Sequence, residues 1–260
     1  MKNRLSNAKR IVIKIGSSLL VDNEKGEIQE DWLDSLACDL SHFRARGQEI
    51  MVVSSGAIAL GRRKSGLLST RSLRLEESQA AAAVGQILLA HAYQHILERH
   101  NLNIAQILLT LEDTEHRRKH LNARNTLNQL LKLGVVPVIN ENDTVATSEI
   151  RFGDNDRLAA RVAAMTSTDC LILLSDIDGL YDSDPRQNPT ALHIAEVSEI
   201  TEDIKAMAGS APAGYSSGGM ITKLDAANIA MDGGCDMVIT DGKCIQPLSL
   251  YAKPNLFYCS

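Results

Sequence analysis

The chain alternates between short, almost wholly apolar runs and longer amphipathic stretches. The apolar runs predict strands at residues 10–16, 50–55, 104–109, 135–140, 170–175 and 236–240. The amphipathic stretches predict helices at residues 29–46, 76–99, 117–133, 155–166 and 220–232. Strands that are apolar on both faces and alternate with helices indicate an α/β protein. We therefore expect a three-layer αβα sandwich with a mostly parallel central sheet.

Two segments depart from this alternation. Residues 144–152 (TVATSEIRF) and 177–194 are predicted to form hairpins or extended excursions. No low-complexity tract, solenoid-type repeat or flexible linker interrupts the chain. We therefore interpret residues 1–260 as one domain with two lobes that meet near residue 170.

The first predicted strand contains a lysine among β-branched residues, in the segment IVIKIGSS at 11–18. A buried lysine must lose its charge or meet an anion, so Lys14 predicts an anionic ligand. Glycine follows this strand at Gly16 and the second strand in the segment VSSGA at 53–57, where backbone N–H groups can face an anion. Two ordinary strand-to-helix turns are the alternative. Neither GxxxxGK[ST] nor GxGxxG is present, which excludes a Walker loop and weakens a dinucleotide interpretation.

Composition narrows the range of partners. The net charge of −5 argues against a protein that binds nucleic acid through its phosphate backbone. No run approaches the roughly 20 apolar residues of a membrane span, and the basic start lacks the apolar core of a signal peptide. The 5 cysteines show no CxxC spacing, so we expect reduced thiols and a cytoplasmic protein.

Clustered Asn and Asp residues follow the fourth predicted strand and open the next helix, at residues 140–143 (NEND) and 153–156 (GDND). Carboxylates accept from an ammonium and amides donate to a carboxylate, which are the contacts that an amino acid ligand requires. A turn and a helix cap are the alternative, above all for Asp154. The spacing of a calcium loop is absent, so we expect no protein cage for a metal.

Two further segments have features of a nucleotide site. Ser175 and Asp176 end the fifth strand, where polar groups can hold a ribose or an adenine edge; a capped turn is the alternative. The segment SSGGMITK at 216–223 leads a flexible loop into a helix whose first turn carries Lys223. Backbone N–H groups and one ammonium can wrap a phosphate there, whereas an incidental surface lysine is the alternative.

Together these segments resemble the amino acid kinase family over essentially the whole chain. The segments that carry the resemblance are KIGSS at 14–18, SSGAIALG at 54–61, AAVGQ at 82–86, LNARNTL at 121–127, VPVINENDTVATSEIRFGDND at 136–156, LLSDIDGLYDSDP at 173–185 and SSGGMITK at 216–223. NEND and GDND are the most specific, and within the family they are similar to the members that phosphorylate glutamate.

The resemblance implies transfer of the ATP γ-phosphoryl group to the glutamate γ-carboxylate, giving glutamyl 5-phosphate in the first step of proline biosynthesis. It implies that Lys14 and Lys223 stabilise the transferring group, that Asp156 organises them, and that phosphates and water hold Mg²⁺. The implied glutamate-binding residues are Ser55, Asp143, Asn155 and Asp154. The implied ATP-binding residues are Lys14, Gly16, Ser175, Asp176, Ser217, Gly218, Gly219, Met220, Ile221, Thr222 and Lys223. The amino-acid-substrate lobe would span about 1–168 and the nucleotide lobe about 169–260.

The resemblance also implies partners: proline as feedback inhibitor, a homo-oligomer (dimer or tetramer), and hand-over to glutamyl phosphate reductase. Many members continue into a small C-terminal domain that resembles RNA-modification modules, and we expect this chain to be a form without it. Another kinase of the same fold, acting on acetylglutamate, aspartate, carbamate or a nucleoside monophosphate, is one alternative. A non-catalytic sensor is the other, and the presence of Lys14, Asp156 and Lys223 together argues against it.

Overall fold

The computed structural model describes residues 5, 7–22, 24–67, 71–146, 155–208 and 219–248, and the backbone of 257–259. The strands are β1 (Arg10–Ile15), β2 (Val21–Asp22), β3 (Glu27–Ile28), β4 (Glu49–Ser54), β5 (Ile104–Leu109), β6 (Val136–Glu141), β7 (Cys170–Ser175), β8 (Leu180–Tyr181), β9 (His193–Ile194), β10 (Glu196–Val197), β11 (Asp236–Asp241) and β12 (Phe257–Cys259). The helices are α1 (Ser17–Leu20), α2 (Glu30–Ala45), α3 (Ala57–Lys64), α4 (Leu75–Glu98), α5 (Leu111–Glu115), α6 (Arg117–Lys132), α7 (Asn155–Thr166), α8 (Glu202–Met207) and α9 (Met220–Asp232).

The central sheet has the strand order β10-β12-β11-β7-β1-β4-β6-β5. Every neighbouring pair in it is parallel except β11 and β12, which are antiparallel. Helices cover both faces, so the predicted αβα sandwich with a mostly parallel sheet is confirmed. Both halves of the chain supply strands to this one sheet, and the division into two lobes near residue 170 stays a prediction.

Alternate residues of each central strand enter different hydrophobic layers, as the two-residue period of a strand requires. In β1, Ile11, Ile13 and Ile15 pack with helices α1 to α4. Val12, from the same strand, packs on the other face with α6, α7 and α9. Lys14 therefore points to the face that carries α7 and α9, and this alternation decides which partners it meets.

Helices α3 and α4 cross at two glycines. A Cβ atom on Gly61 would lie 1.7 Å from the carbonyl oxygen of Ala81, and one on Gly85 would lie 1.7 Å from that of Ala57. No other residue can occupy either position without moving a backbone. The crossing fixes the start of α3, which follows the left-handed Gly56 (φ 111°) at the end of β4.

The excursion predicted over 177–194 contains the antiparallel pair β8–β9. The other one, 144–152, is described only through residue 146, where it forms a turn, and the rest lies outside the described residues. The short helices α1, α3, α5 and α8 were not predicted, because four to eight residues are too few to display a helical period. Among the described residues, no helix is long and apolar enough to cross a membrane.

Candidate active site

A cleft of about 640 Å³ lies beyond the carboxyl ends of the central strands. Strand β1 lies between β4 and β7. The chain runs from β1 to β4 on one side of it and from β7 to β11 on the other, so the strand order reverses at β1. A crevice opens at such a reversal. The predicted site residues that line this cleft are Lys14, Gly16, Ser55, Asp143, Asn155, Ser175, Asp176 and Lys223. Residues from distant parts of the sequence thus meet at one edge of the sheet.

Lys14 and Lys223 share one carboxylate at the bottom of the cleft. The Lys14 ammonium lies 2.5 Å from Oδ1 of Asp156, and the Lys223 ammonium lies 3.0 Å from Oδ2. Asp156 is in the first turn of α7 and Lys223 in the first turn of α9, so two helix starts face the end of β1. The side chain of Asp156 is fully buried, whereas the two lysines remain slightly exposed toward the cleft.

Burial by itself would raise the pKa of Asp156, but the charges of Lys14 and Lys223 and their hydrogen bonds outweigh it. The resulting pKa lies below the ordinary value of 3.8, so Asp156 is a carboxylate at neutral pH. This one negative charge offsets two positive charges, and the cluster keeps a net positive charge at the bottom of the cleft. An anion such as a phosphoryl group is the ligand that such a cluster attracts.

The amide nitrogen of Asn155 is fully engaged inside the protein. It lies 2.9 Å from the carbonyl oxygen of Ser54, 2.8 Å from Oγ of Ser55 and 3.0 Å from Oδ1 of Asn140. Because an amide has only two N–H donors for these acceptors, the nitrogen has no capacity left for a ligand. Asn155 lines the cleft, and its oxygen, an acceptor, is the polar atom of this side chain that is left for a ligand. Oδ1 of Asn140 also accepts from the backbone N–H of Glu141, which leaves the Asn140 amide nitrogen as the donor.

A buried tyrosine supports this amide cluster from behind. The hydroxyl of Tyr93, on α4, donates to Oγ of Ser54 at 2.9 Å, and that Oγ donates to the carbonyl oxygen of Ser55 at 3.1 Å. Tyr93 and Ser54 are both fully buried. Burial raises the pKa of Tyr93, so its hydroxyl keeps its proton and remains a donor.

The structure describes only part of the segment at 216–223 that was predicted to bind ATP. Gly219, Met220, Ile221 and Thr222 lie at the start of α9 next to Lys223, and they are not among the residues that line the described cleft. Thr222 donates to the carbonyl oxygen of Gly219 at 2.7 Å. The predicted residues Asp154, Ser217 and Gly218 lie outside the described residues.

Several residues that line the cleft were not predicted individually, among them Asn140, Glu141, Arg62 and Arg63. Asn140 and Glu141 belong to the NEND segment, whose position at a strand end was the signal for them. Arg62 and Arg63 are in the last turn of α3, two turns beyond the Gly56 turn. That helix was not predicted, so nothing indicated that two arginines return to the cleft.

No group of three or more His, Cys, Asp or Glu side chains that could hold a metal ion occurs in the part of the chain that the structure describes. The carboxylate at the bottom of the cleft is already taken by two ammonium groups. The described residues thus do not form a metal cage of their own.

Sequence comparison assigns this arrangement to a family. The model of the "Amino acid kinase family" matches residues 9–241. The chain belongs to the amino acid kinase family. Among similar members, the "Glutamate 5-kinase" of Paramagnetospirillum magneticum is 61% identical over 244 residues, which are 94% of this chain and 65% of that protein. The "Glutamate 5-kinase" of Gluconobacter oxydans is 60% identical over 245 residues, with the same coverage of 94% and 65%. The chain thus spans about 65% of the length of these relatives.

The solved structures of two kinases share the fold. The UMP kinase of Ureaplasma parvum superposes with a TM-score of 0.69 at 18% identity, covering 97% of this chain and 98% of that one. The carbamate kinase of Giardia lamblia bound to AMP-PNP superposes with a TM-score of 0.67 at 15% identity, covering 98% and 100%. At these identities the likeness shows the fold alone.

Proposed function

We propose that this protein transfers the γ-phosphoryl group of ATP to the γ-carboxylate of glutamate, giving glutamyl 5-phosphate and ADP. The observation that carries the proposal is the carboxylate of Asp156 between Lys14 and Lys223, beside the amide cluster of Asn155. The names of the relatives at about 60% identity favour glutamate over the acceptors of the other amino acid kinases.

The chemistry requires positioning and charge more than covalent participation. An oxygen of the γ-carboxylate attacks the γ-phosphorus of ATP, a new P–O bond forms, and the bond from that phosphorus to the β,γ-bridging oxygen breaks. ADP leaves with the electron pair, and no proton has to be removed from the nucleophile. Lys14 and Lys223 would neutralise the charge on the transferring group, and Asp156 would hold both ammonium groups in place before ATP binds.

The amide orientations suggest how an amino acid is read. Asn155 presents an oxygen, which suits the α-ammonium of glutamate. Asp143 also lines the cleft and would offer its carboxylate to the same ammonium group. Asn140 presents its N–H donors, which suit the α-carboxylate. With Ser55 and Asp154, these residues would hold the amino acid so that its γ-carboxylate faces Lys14.

Magnesium would enter with ATP. Because the described residues form no cage for it, we propose that phosphate oxygens and water hold Mg²⁺, and we assign no step to it. The nucleotide would contact Gly16, Ser175 and Asp176 and the segment from Ser217 to Lys223.

A cytoplasmic location accords with Cys38, Cys170, Cys235 and Cys244, which are free thiols.

Proline, which shares the α-ammonium and α-carboxylate of glutamate, would inhibit from a site that overlaps the glutamate site. The acyl phosphate product is labile, so a reductive enzyme, glutamyl phosphate reductase, would consume it by hand-over.

We also propose a homo-oligomer. Strand β5 is an edge of the sheet, and α4 exposes Val84 and Ile87, so a second copy of this chain would cover them. Light scattering on the wild type and on Ile87→Asp tests this, since an unchanged mass would refute that surface.

The proposed function is tested with the purified chain, MgATP and a panel of acceptors: glutamate, acetylglutamate, aspartate, carbamate and UMP. We expect ADP release with glutamate, and hydroxylamine should trap the product as a hydroxamate. Lys14→Met should lower both signals strongly, whereas Lys9→Met, an exposed lysine close by in sequence, should not. Turnover with a different acceptor would assign another kinase activity, and binding of both ligands without ADP release would indicate a sensor.

A further inference from the structure

The chain after β11 is fastened to helix α2 along one face. Residues 242–248, which we call the strap, receive contacts from side chains spaced three or four residues apart, beginning at Trp32. The indole N–H of Trp32 donates to the carbonyl oxygen of Gly242 at 2.7 Å, and this bond is buried. Farther along, the backbone N–H of Gln246 donates to Oγ of Ser35 at 3.2 Å, and that of Leu248 donates to Oδ2 of Asp39 at 2.8 Å.

The beginning of the strap is bonded on its other side to the turn after β7. The backbone N–H of Gly242 donates to the carbonyl oxygen of Ser175 at 2.8 Å. The ammonium of Lys243 donates to the carbonyl oxygen of Asp176 at 2.8 Å. Two consecutive carbonyl groups of the turn are therefore held by two consecutive residues of the strap. Ser175 and Asp176 themselves line the cleft.

Gly242 has no space for a side chain at this junction. A Cβ atom there would lie 2.6 Å from Cδ1 of Leu19 and 3.0 Å from Cβ of Leu174. Leu19 belongs to α1, the helix that follows Gly16, and Leu174 precedes Ser175. The strap is thus packed against both turns that the proposed ATP would contact, and a displacement of Gly242 must move one of them.

We propose that Trp32 and Lys243 are positioning residues of the nucleotide site, which act on bound ATP through the backbone of Ser175 and Asp176. The inference rests on the proposed function, because it takes Ser175 and Asp176 as contacts of ATP. Neither Trp32 nor Lys243 lines the cleft in the described structure, so their effect passes through the strap. Loss of either bond frees the turn on the side away from the ligand and weakens the binding of ATP but not of glutamate.

The test compares Trp32→Phe and Lys243→Met with the wild type, using MgATP as the calorimetric ligand and measuring KM for ATP and for glutamate. Each variant should raise the Kd for MgATP by about tenfold, because binding must then order a turn that the lost hydrogen bond no longer holds, while the glutamate KM stays within about twofold. Lys243→Arg, which keeps a donor, should restore the binding. The matched controls are Phe43→Leu, at a buried position near the other end of α2 from Trp32, and Lys205→Met, another exposed lysine of the C-terminal half.

A second readout comes from Trp32, the only tryptophan of the chain. MgATP should change its fluorescence with the same Kd that calorimetry gives, and Lys243→Met should shift both curves together. The inference is wrong if folded Lys243→Met binds MgATP like the wild type, or if ATP and glutamate KM rise together as in a loosened fold. A protein that shows these effects but makes no glutamyl phosphate would refute the proposed function alone. A wild type that binds no MgATP would refute both.

Discussion

Asp156 is the residue on which the proposed chemistry depends most. Asp156→Asn keeps the shape of the side chain and removes the charge that offsets Lys14 and Lys223. We expect kcat to fall by about a hundredfold or more, with smaller changes in either KM, because the two ammonium groups lose their fixed position. The double variant with Lys14→Met should be less impaired than the product of the single losses, since all three groups act as a unit. Near-normal kcat in a folded Asp156→Asn protein would reduce the residue to a structural role.

The carboxylate of Asp156 should make the free energy of unfolding depend on pH. The pKa of Asp156 lies below 3.8 in the folded protein, so its ionised form favours the folded state. This stabilisation is complete above pH 3.8 and is lost as the pH falls through the lower, folded pKa. The free energy of unfolding in urea, measured from about pH 6 to about pH 2, should therefore fall less steeply for Asp156→Asn than for the wild type. Asp203→Asn, which removes an exposed carboxylate, is the control, and an identical acid limb in Asp156→Asn would contradict the expectation.

Tyr93 should influence glutamate through Ser54, although it lies outside the cleft. Tyr93→Phe keeps the buried ring and removes the donor to Oγ of Ser54, which costs about 1 kcal/mol. Because Ser54 also accepts from Asn155, we expect the glutamate KM to rise several-fold while the ATP KM stays unchanged. Tyr181→Phe, whose hydroxyl bonds Asp178 in the other half of the chain, should not change the glutamate KM. Equal changes in both KM values for Tyr93→Phe would show a general loss of packing.

The residues of the site were only partly predictable from the sequence. A lysine in an apolar strand and polar clusters at other strand ends predict a shared edge, since parallel strands place their carboxyl ends together. The direction of the Asn155 amide could not be predicted, because its acceptors come from β4 and β6, far away along the chain. The same holds for the Tyr93 hydroxyl. Hydrogen bonds between distant elements leave no local pattern.

At the scale of elements, the crossing of α3 and α4 links packing to the site. In an isolated helix, Gly85→Ala would be stabilising by about 1 kcal/mol. Here the added methyl would lie 1.7 Å from the carbonyl oxygen of Ala57, so we expect destabilisation by about 2 to 3 kcal/mol. Ala57 follows Gly56 and Ser55, and any residual folded protein should show a raised glutamate KM. Ala83→Ser, at an exposed position of the same helix, is the control in thermal unfolding. An increase in stability for Gly85→Ala would contradict the close crossing.

The central strands were predictable to within about one residue, because each is an apolar run bounded by polar residues. Helix α3 was not, since its eight residues end in Arg62, Arg63 and Lys64 and its buried face includes a glycine. Its conformation is set by α4, against which Gly61 packs. Short elements of this kind take their structure from tertiary contacts, and they carry the part of the cleft that the sequence did not reveal.

At the scale of the whole molecule, the cleft joins strands from both halves of the chain, so its ligands should stabilise the entire fold. Any ligand that binds only the folded protein at about a hundred times its Kd adds about 2.7 kcal/mol to stability. MgATP and glutamate should thus each raise Tm. If they occupy different ends of the cleft, their increments should add.

Proline should break this additivity with glutamate but not with MgATP. If proline overlaps the glutamate site, glutamate added at about a hundred times its Kd to protein with equally saturating proline gains only about 0.4 kcal/mol, because the two ligands compete for one site. With separate sites the second ligand would add its full 2.7 kcal/mol, roughly, and Tm would rise by the sum. MgATP is the internal control, since its increment should be the same with or without proline. The measurement is a thermal-unfolding series with each ligand alone and in pairs. Full additivity of proline and glutamate would contradict the overlapping site, and no shift with proline would remove it as an inhibitor of this chain.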